Sequence, residues 1–415
     1  MTGREPGHVL FTTDAFPPEI GGVERVTYEL ARALVARDVR VTVLTRRPPD
    51  TAPEETVEGI RVIRYDVARR FAPRVYWSYV REVERRTRRL LAEDPPDILH
   101  THLTLASYGA LKAFAQAGRP IVASFYGPWD KEFAVEADAL RRHASPFYRL
   151  YLDGQMALQR HMQRRNLRMA HGIVPLSDYS RVMIDELAPG VADKVTKIPG
   201  GIDPTRFTAT PNEFDAQVPW LGGNADAGDN RPVILTVRRL VHRMGVDLLI
   251  DALALLRERG VEARLYIGGR GPRREDLEAQ VTKLGLAEQV HFLGYVADEL
   301  LPALYRHADV FVLPTRAQEN FGLPVFEAAA CGCPVVATAV GSLPEMIRAV
   351  DSPYEAQVAT AESLADAMHR ALADRGPTID AWRERVVRSV PRDYAWSAIA
   401  ERHIDHYRKV LACAS

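Results

Sequence analysis

The sequence is poor in cysteine, with Cys331, Cys333 and Cys413 only. An odd count of three supplies no disulfide framework, and a lone C-x-C lacks the second ligand pair of a zinc site. Cys331 and Cys333 sit in AAACGCPVV and read as small buried thiols, which suits a reducing compartment. Charge of one sign is missing too: 54 Lys and Arg balance 54 Asp and Glu. That balance excludes the global cationic surplus of a nucleic-acid binder. No apolar run approaches the roughly 18 residues of a membrane helix, and MTGREPGHVLFTT has no apolar core of signal-peptide length. The expectation is a soluble, cytoplasmic chain. At 415 residues it exceeds one core, since single cores stop growing near roughly 250–300 residues.

What is present is alternation. VLFTT (9–13) precedes a Gly-rich loop and the amphipathic ERVTYELARALVARD; RVTVLT (40–45), DILHTH (97–102), IVASF (121–125) and GIVPL (172–176) follow. β-branched runs separated by helical patterns imply βαβ units and a parallel sheet. The pattern breaks at 208–232, rich in Pro, Gly, Asn and Asp, and resumes with VILTV (233–237), RLYIG (264–268), VHFLG (290–294), DVFVLP (309–314) and PVVAT (334–338). The reading is α/β, with two doubly wound domains, 1–207 and 233–390, joined by a linker at 208–232. The closing segment 391–415, helical from Trp396 to Leu411, packs back across the domains. Open α/β sheets hold ligands beyond the strand C-termini, so the informative residues should follow strands.

They do in TRAQENFGLPVFEAAACGCPVVAT (315–338). A buried strand leads into a polar loop, Pro324 marks the first helical turn, and Cys331–Gly332 ends the helix. The amides of residues 321–325 then point out of a helix N-terminus, which attracts phosphate. Glu319 and Glu327 flank that end. A carboxylate repels phosphate but accepts charge-assisted hydrogen bonds from sugar hydroxyls. The pattern suits a phosphate with a sugar ring on either side.

ENFGLPVFE resembles the Glu–seven–Glu motif of retaining glycosyltransferase family 4, which has the GT-B fold of two Rossmann-like domains facing across a cleft. FPPEIGGVERV, IPGGIDPTRF, VRRLVHRMGVDLLIDAL and FLGYV extend the resemblance over nearly the whole chain. It implies that Glu319 contacts the donor sugar and that the backbone of Asn320, Phe321, Gly322 and Leu323 meets sugar and phosphate. By the same resemblance Glu327 would bind the ribose, and the main chain near Tyr295 would read the base. Gly21 and Gly22, after the first strand, let backbone approach a ligand closely, and the resemblance implies that this ligand is the donor diphosphate and the acceptor. The implied activity is transfer from a nucleoside diphosphate sugar, a UDP-sugar favoured, to a hydroxyl of a small-molecule or natural-product acceptor with retained configuration. Cell-surface polysaccharide or glycolipid is the alternative acceptor.

Fixed cations aimed at the leaving diphosphate stabilise the transition state. Arg238, Arg239 and Arg243 are the candidates. Arg239 matches the family arginine, but the lysine expected five residues later is Met244, so either Arg243 or Arg238 supplies that charge or the donor sits differently. With no D-x-D near a strand end, no metal or other cofactor is expected. A second departure is Tyr126, where the family has histidine. Tyr126, Trp129 and His102 are the acceptor-side candidates.

Other readings stay open. GGRGPRRE contains G-x-G, but Arg274 stands where a dinucleotide fingerprint needs Gly or Ala. The basic stretches 69–90 and 140–169 fit solvated helix faces better than a peripheral membrane contact. A hydrolysing sugar-nucleotide epimerase and a non-catalytic sugar-nucleotide sensor share the expected architecture.

Overall fold

The computed structural model describes residues 5–18, 21–67, 72–134, 145–220, 229–374 and 376–414. Residues 69–71 and 140–144 of the basic stretches, and 221–228 of the expected linker, lie outside them. The chain forms two compact units, Met1–Gly201 with Trp396–Ser415, and Ile202–Ala395.

In the first unit a seven-stranded sheet runs in the order β3-β4-β2-β1-β5-β6-β7. Its strands are β1 (His8–Thr12), β2 (Arg40–Arg46), β3 (Glu54–Val57), β4 (Ile60–Tyr65), β5 (Ile98–Thr101), β6 (Ile121–Phe125) and β7 (Gly172–Pro175). All pairs are parallel except β3–β4. β1 is buried throughout, as a parallel strand covered on both faces must be. The β3–β4 hairpin, turning at Glu58 and Gly59 with φ of 45° and 81°, is absent from the sequence reading. Arginines interrupt its apolar pattern, and Arg64 is nonetheless buried, ion-paired to Glu55 and donating to the Pro17 carbonyl at 2.6 Å. Helices α1 (Gly22–Val35), α2 (Ala72–Glu93), α3 (Thr104–Gln116), α4 (Pro146–Met169) and α5 (Asp178–Leu187) connect the strands. α1 buries Val26, Leu30 and Leu34, an i, i+4 stripe. Ser145 caps α4 and Ser177 caps α5, each oxygen accepting a first-turn N–H.

The second unit holds a six-stranded, all-parallel sheet in the order β10-β9-β8-β11-β12-β13. Its strands are β8 (Val233–Val237), β9 (Arg264–Gly268), β10 (Val290–Gly294), β11 (Val310–Leu313), β12 (Val335–Thr338) and β13 (Glu355–Ala356). Its helices are α6 (Val246–Glu258), α7 (Arg274–Lys283), α8 (Leu301–His307), α9 (Leu323–Ala330), α10 (Leu343–Ala349), α11 (Ala361–Ala373) and α12 (Pro377–Tyr394). Both sheets, leaving out β3, have the doubly wound order in which the chain reverses direction beside the first strand. The switch points are therefore β1/β5 and β8/β11.

The domain boundaries differ from the sequence reading. Ile202 donates to the Tyr394 carbonyl at 2.8 Å and pairs with Ala395, so the second unit begins and ends there rather than at 233 and 390. Residues 208–220 belong to it as well. Asn212 closes a capping box on the 3-10 turn Glu213–Gln217. Asp215 takes Arg306 at 2.6 Å and His307 at 2.5 Å, which holds its carboxyl well below the usual range. Trp220 is buried, donating to the His307 carbonyl at 3.0 Å. Composition marks this stretch as loop, but anchors some 90 residues away in sequence give it a fixed place.

The final helix, α13 (Trp396–Ala414), belongs to the first unit. Arg37, just past α1, donates to Glu401 at 2.9 Å, and Tyr407 lies 2.6 Å from Nδ1 of His100. Gly172 lets α13 approach: a Cβ there would stand 2.3 Å from Nε2 of His406. Among the described residues no helix is long and apolar enough to cross a membrane.

Candidate functional site

In the second unit, the loop after β11 is held from below. Thr338 donates to the Thr315 carbonyl at 2.6 Å, and Ser342 N–H donates to the Glu319 carbonyl at 2.9 Å. Gln318 takes a φ of 56° ahead of Glu319. Gly341, with φ of 62°, lies so close that a Cβ would fall 2.2 Å from the Glu319 carbonyl oxygen. The loop closes at Gly322, which caps α9 at a φ of 74°. Leu323 is then the first helical residue and Pro324 the second. Val325 N–H already donates to the Gly322 carbonyl at 3.0 Å and Pro324 has no N–H, so the set of outward amides read as 321–325 shrinks to 321–323. Phe321 is buried, its ring 5.4 Å from that of Phe326, and Asn320 and Leu323 are half-buried.

Glu319 and Glu327 are held by different partners. Arg238, just after β8, donates through Nη2 to Glu319 at 3.2 Å and through Nη1 to Thr315 Oγ1 at 3.0 Å. Its side chain is 6% exposed, that of Glu319 20%. Burial lowers the Arg238 pKa, Glu319 opposing that shift. Glu327, in the second turn of α9, accepts from the buried Tyr305 hydroxyl at 3.3 Å. Arg239 does not join this group and is exposed. Arg243 is turned back onto the loop, donating to the Gln318 carbonyl at 3.0 Å. Tyr295, after β10, is exposed with the Arg270 guanidinium 5.5 Å from its ring centre.

In the first unit, Gly21 caps α1 and Gly22 is its first residue. Among the described residues, nothing beyond its chain neighbours and its own helix backbone lies within 4 Å of where a Gly22 Cβ would stand, so their packing does not demand glycine there. His102 follows β5 and Tyr126 follows β6. The Tyr126 hydroxyl is 2.7 Å from His102 Nδ1, and burial depresses the His102 pKa to about 3. Trp129 is half-buried, its N–H donating to Gln163 at 3.0 Å and its ring 6.3 Å from that of Tyr76. His100 is fully enclosed between Tyr407 and Ser124, at 2.6 Å and 2.9 Å, and is a packing residue.

Two residues escaped the sequence reading. Tyr305 positions Glu327, and nothing in α8 signals that. Asp14 lies two residues past the end of β1, at the switch point; among the described residues its enclosed Oδ1 has no hydrogen-bond partner, and desolvation raises its pKa to about 6. Its place just beyond the first strand was the available signal.

Within the second unit, a carboxylate on each side of the α9 start and an arginine just after β8 suit a phosphorylated sugar ligand. The model for "Glycosyl transferases group 1" matches residues 224–387 and that for "Glycosyltransferase Family 4" matches 20–206. The GDP-mannose-dependent α-(1-6)-phosphatidylinositol monomannoside mannosyltransferase of Mycolicibacterium smegmatis is 31% identical over 82% of each chain. The phosphatidyl-myo-inositol mannosyltransferase of Mycobacterium leprae is 29% identical over 95% of each. Among solved structures, sucrose-phosphate synthase from Thermosynechococcus elongatus has a TM-score of 0.74 at 23% identity, covering 99% of this chain and 100% of that one. With its two doubly wound units and these relatives, the chain belongs to glycosyltransferase family 4 and is a glycosyltransferase of the GT-B fold.

Proposed function

We propose that this chain transfers a hexosyl group, with retained configuration, from a nucleoside diphosphate sugar to a hydroxyl of a glycolipid or cell-surface polysaccharide precursor. The observation that carries the donor half is the pair Glu319 and Glu327 on either side of the α9 start at the β8/β11 switch point. Glu319 binds sugar hydroxyls, Glu327 the ribose, and the first amides of α9 the phosphate. Gly21, Gly22, Arg243 and Tyr295 complete the donor contacts, and His102, Tyr126 and Trp129 face the acceptor. Arg239, exposed after β8, reaches the diphosphate when it binds. The acceptor half follows the names of the two mannosyltransferase relatives, both of which act on phosphatidylinositol compounds. They favour glycolipid over a small-molecule acceptor, and GDP-mannose over a UDP-sugar as the first donor to try.

The reaction breaks the bond from the anomeric carbon to the β-phosphate oxygen and forms one to the acceptor oxygen on the same face. The acceptor proton passes to the departing phosphate. Glu319, paired to Arg238, binds rather than attacks. The developing phosphate charge is met by arginine, without a metal ion.

Calorimetric titration of UDP, GDP, ADP and TDP, with Glu327→Ala alongside, tests the donor site. One nucleotide should bind and should weaken in the variant. Incubating the matching sugar nucleotide with phosphatidylinositol vesicles and with soluble saccharides then separates the acceptor classes. Binding by none of the four overturns the reading; release of free nucleoside diphosphate without any acceptor would instead mark an epimerase.

A further inference from the structure

The cations around the β8/β11 switch point are not equivalent. Arg316 and Arg273 are both held by Asp247, at 2.8 Å and 3.3 Å. Arg243 is bound to a loop carbonyl and Arg239 is exposed. Arg238 differs from all of these. Its side chain is buried, among the described residues its enclosed Nε has no hydrogen-bond partner, and its ion pair with Glu319 is made through one nitrogen at 3.2 Å. That same Nη2 lies 2.8 Å from the sulfur of Met244. A guanidinium stays charged even when desolvated, so it is held by whatever anion is present. Here that anion is the carboxylate assigned above to the donor sugar.

We propose that Arg238 is a diphosphate ligand of this chain and that its pair with Glu319 is a placeholder exchanged on donor binding. The inference rests on the donor site proposed above. The phosphate takes the guanidinium, bidentate where the carboxylate was monodentate, and Glu319 is released to the sugar hydroxyls. Met244 carries no charge, and Arg238 reaches across its sulfur to fill the position that a lysine ammonium at 244 would occupy. The site thus keeps two cations beyond β8, Arg238 inward and Arg239 outward, supplied by adjacent residues.

The test uses whichever nucleoside diphosphate binds the wild-type protein, with the matching monophosphate as control, titrated by calorimetry. Arg238→Ala should weaken the diphosphate about tenfold or more, the loss of one charge-assisted contact, and change the monophosphate much less. Arg238→Ala with Met244→Lys should recover most of that loss. Glu319→Gln, which keeps Arg238 in place but removes its resident anion, should bind the free diphosphate more tightly while transferring sugar more slowly. That variant carries the test by itself if Arg238→Ala fails to fold. Unchanged diphosphate affinity in Arg238→Ala, no recovery by Met244→Lys, or weaker binding by Glu319→Gln each overturns the exchange while leaving the donor site standing. Absence of binding by the wild type overturns both.

Discussion

The Tyr126 hydroxyl lies 2.7 Å from Nδ1 of His102, with the two rings stacked at 20°. The histidine expected at 126 is therefore matched by one on the neighbouring strand end, and the phenol joins it rather than replacing it. Enclosure keeps the imidazole neutral, so the pair offers hydrogen bonds and no cation. Replacing Tyr126 by Phe leaves a buried ring nitrogen without its partner. The cost should be about 1–3 kcal/mol, read as a lower urea midpoint at unchanged slope, with a raised KM for acceptor and little change in KM for donor.

Acid should weaken the first unit more steeply than the second. Burial depresses His102 to about 3 and His406 to about 4, and holds His100 and His403 well below the ordinary value. A lowered folded-state pKa means that the unfolded chain binds more protons below about 6.5, so stability present at neutral pH is lost as pH falls toward the folded values. Each histidine adds up to about 1.4 kcal/mol per pH unit over that window. Asp14, raised to about 6, acts in the opposite sense between about 6 and its ordinary carboxylate value, and offsets one of the four. Denaturant titrations at pH 7, 5.5 and 4.5 should show the midpoint falling; a flat profile would count against four neutral buried histidines.

Gly341→Ala should damage the donor loop from outside it. The new methyl would stand 2.2 Å from the Glu319 carbonyl oxygen, on a backbone at φ of 62°. Something must move, and the loop is the lighter element. The expected result is a fall in kcat/KM of about tenfold or more with a loss of about 1–3 kcal/mol in stability, checked by kinetics and thermal melting on one preparation.

Glu327→Ala removes the proposed ribose contact and the partner of Tyr305. Nucleotide affinity should fall about tenfold or more, whereas Tyr305→Phe, which keeps the carboxylate, should cost less. Equal losses in the two variants would mean that Glu327 matters for packing and not for binding.

Transfer should be indifferent to chelators. If arginines meet the leaving phosphate, turnover in excess EDTA should equal turnover in added magnesium; loss of activity in EDTA would require a metal-bound donor.

Much of this was legible. The two alternations of β-branched runs and helical patterns announce two parallel sheets because such strands, covered on both faces, must be apolar along their length. The ENFGLPVFE loop was readable because proline and glycine bracket a short helix that follows a buried strand; the partners Arg238 and Tyr305 of its two carboxylates were not. The β3–β4 hairpin was not, since its arginines break the apolar pattern while Arg64 finds Glu55 only once the chain has folded. Nor was the anchoring of 208–220, whose loop composition conceals a buried tryptophan and an aspartate paired to Arg306.

The sequence by itself determined the two sheets, the loop that follows β11 and the residue types around it, because periodicity and turn chemistry are local. Which arginine turns inward was decided by tertiary structure alone. Arg238 and Arg239 are adjacent beyond the end of β8, where no strand alternation assigns either of them a side. Only the register of β8 against β11 settles that Arg238 meets Glu319 and that Arg239 faces solvent. The same holds for α13: its histidines and Tyr407 read as an ordinary closing helix, and it is the approach allowed by Gly172 that makes them part of the first unit's core.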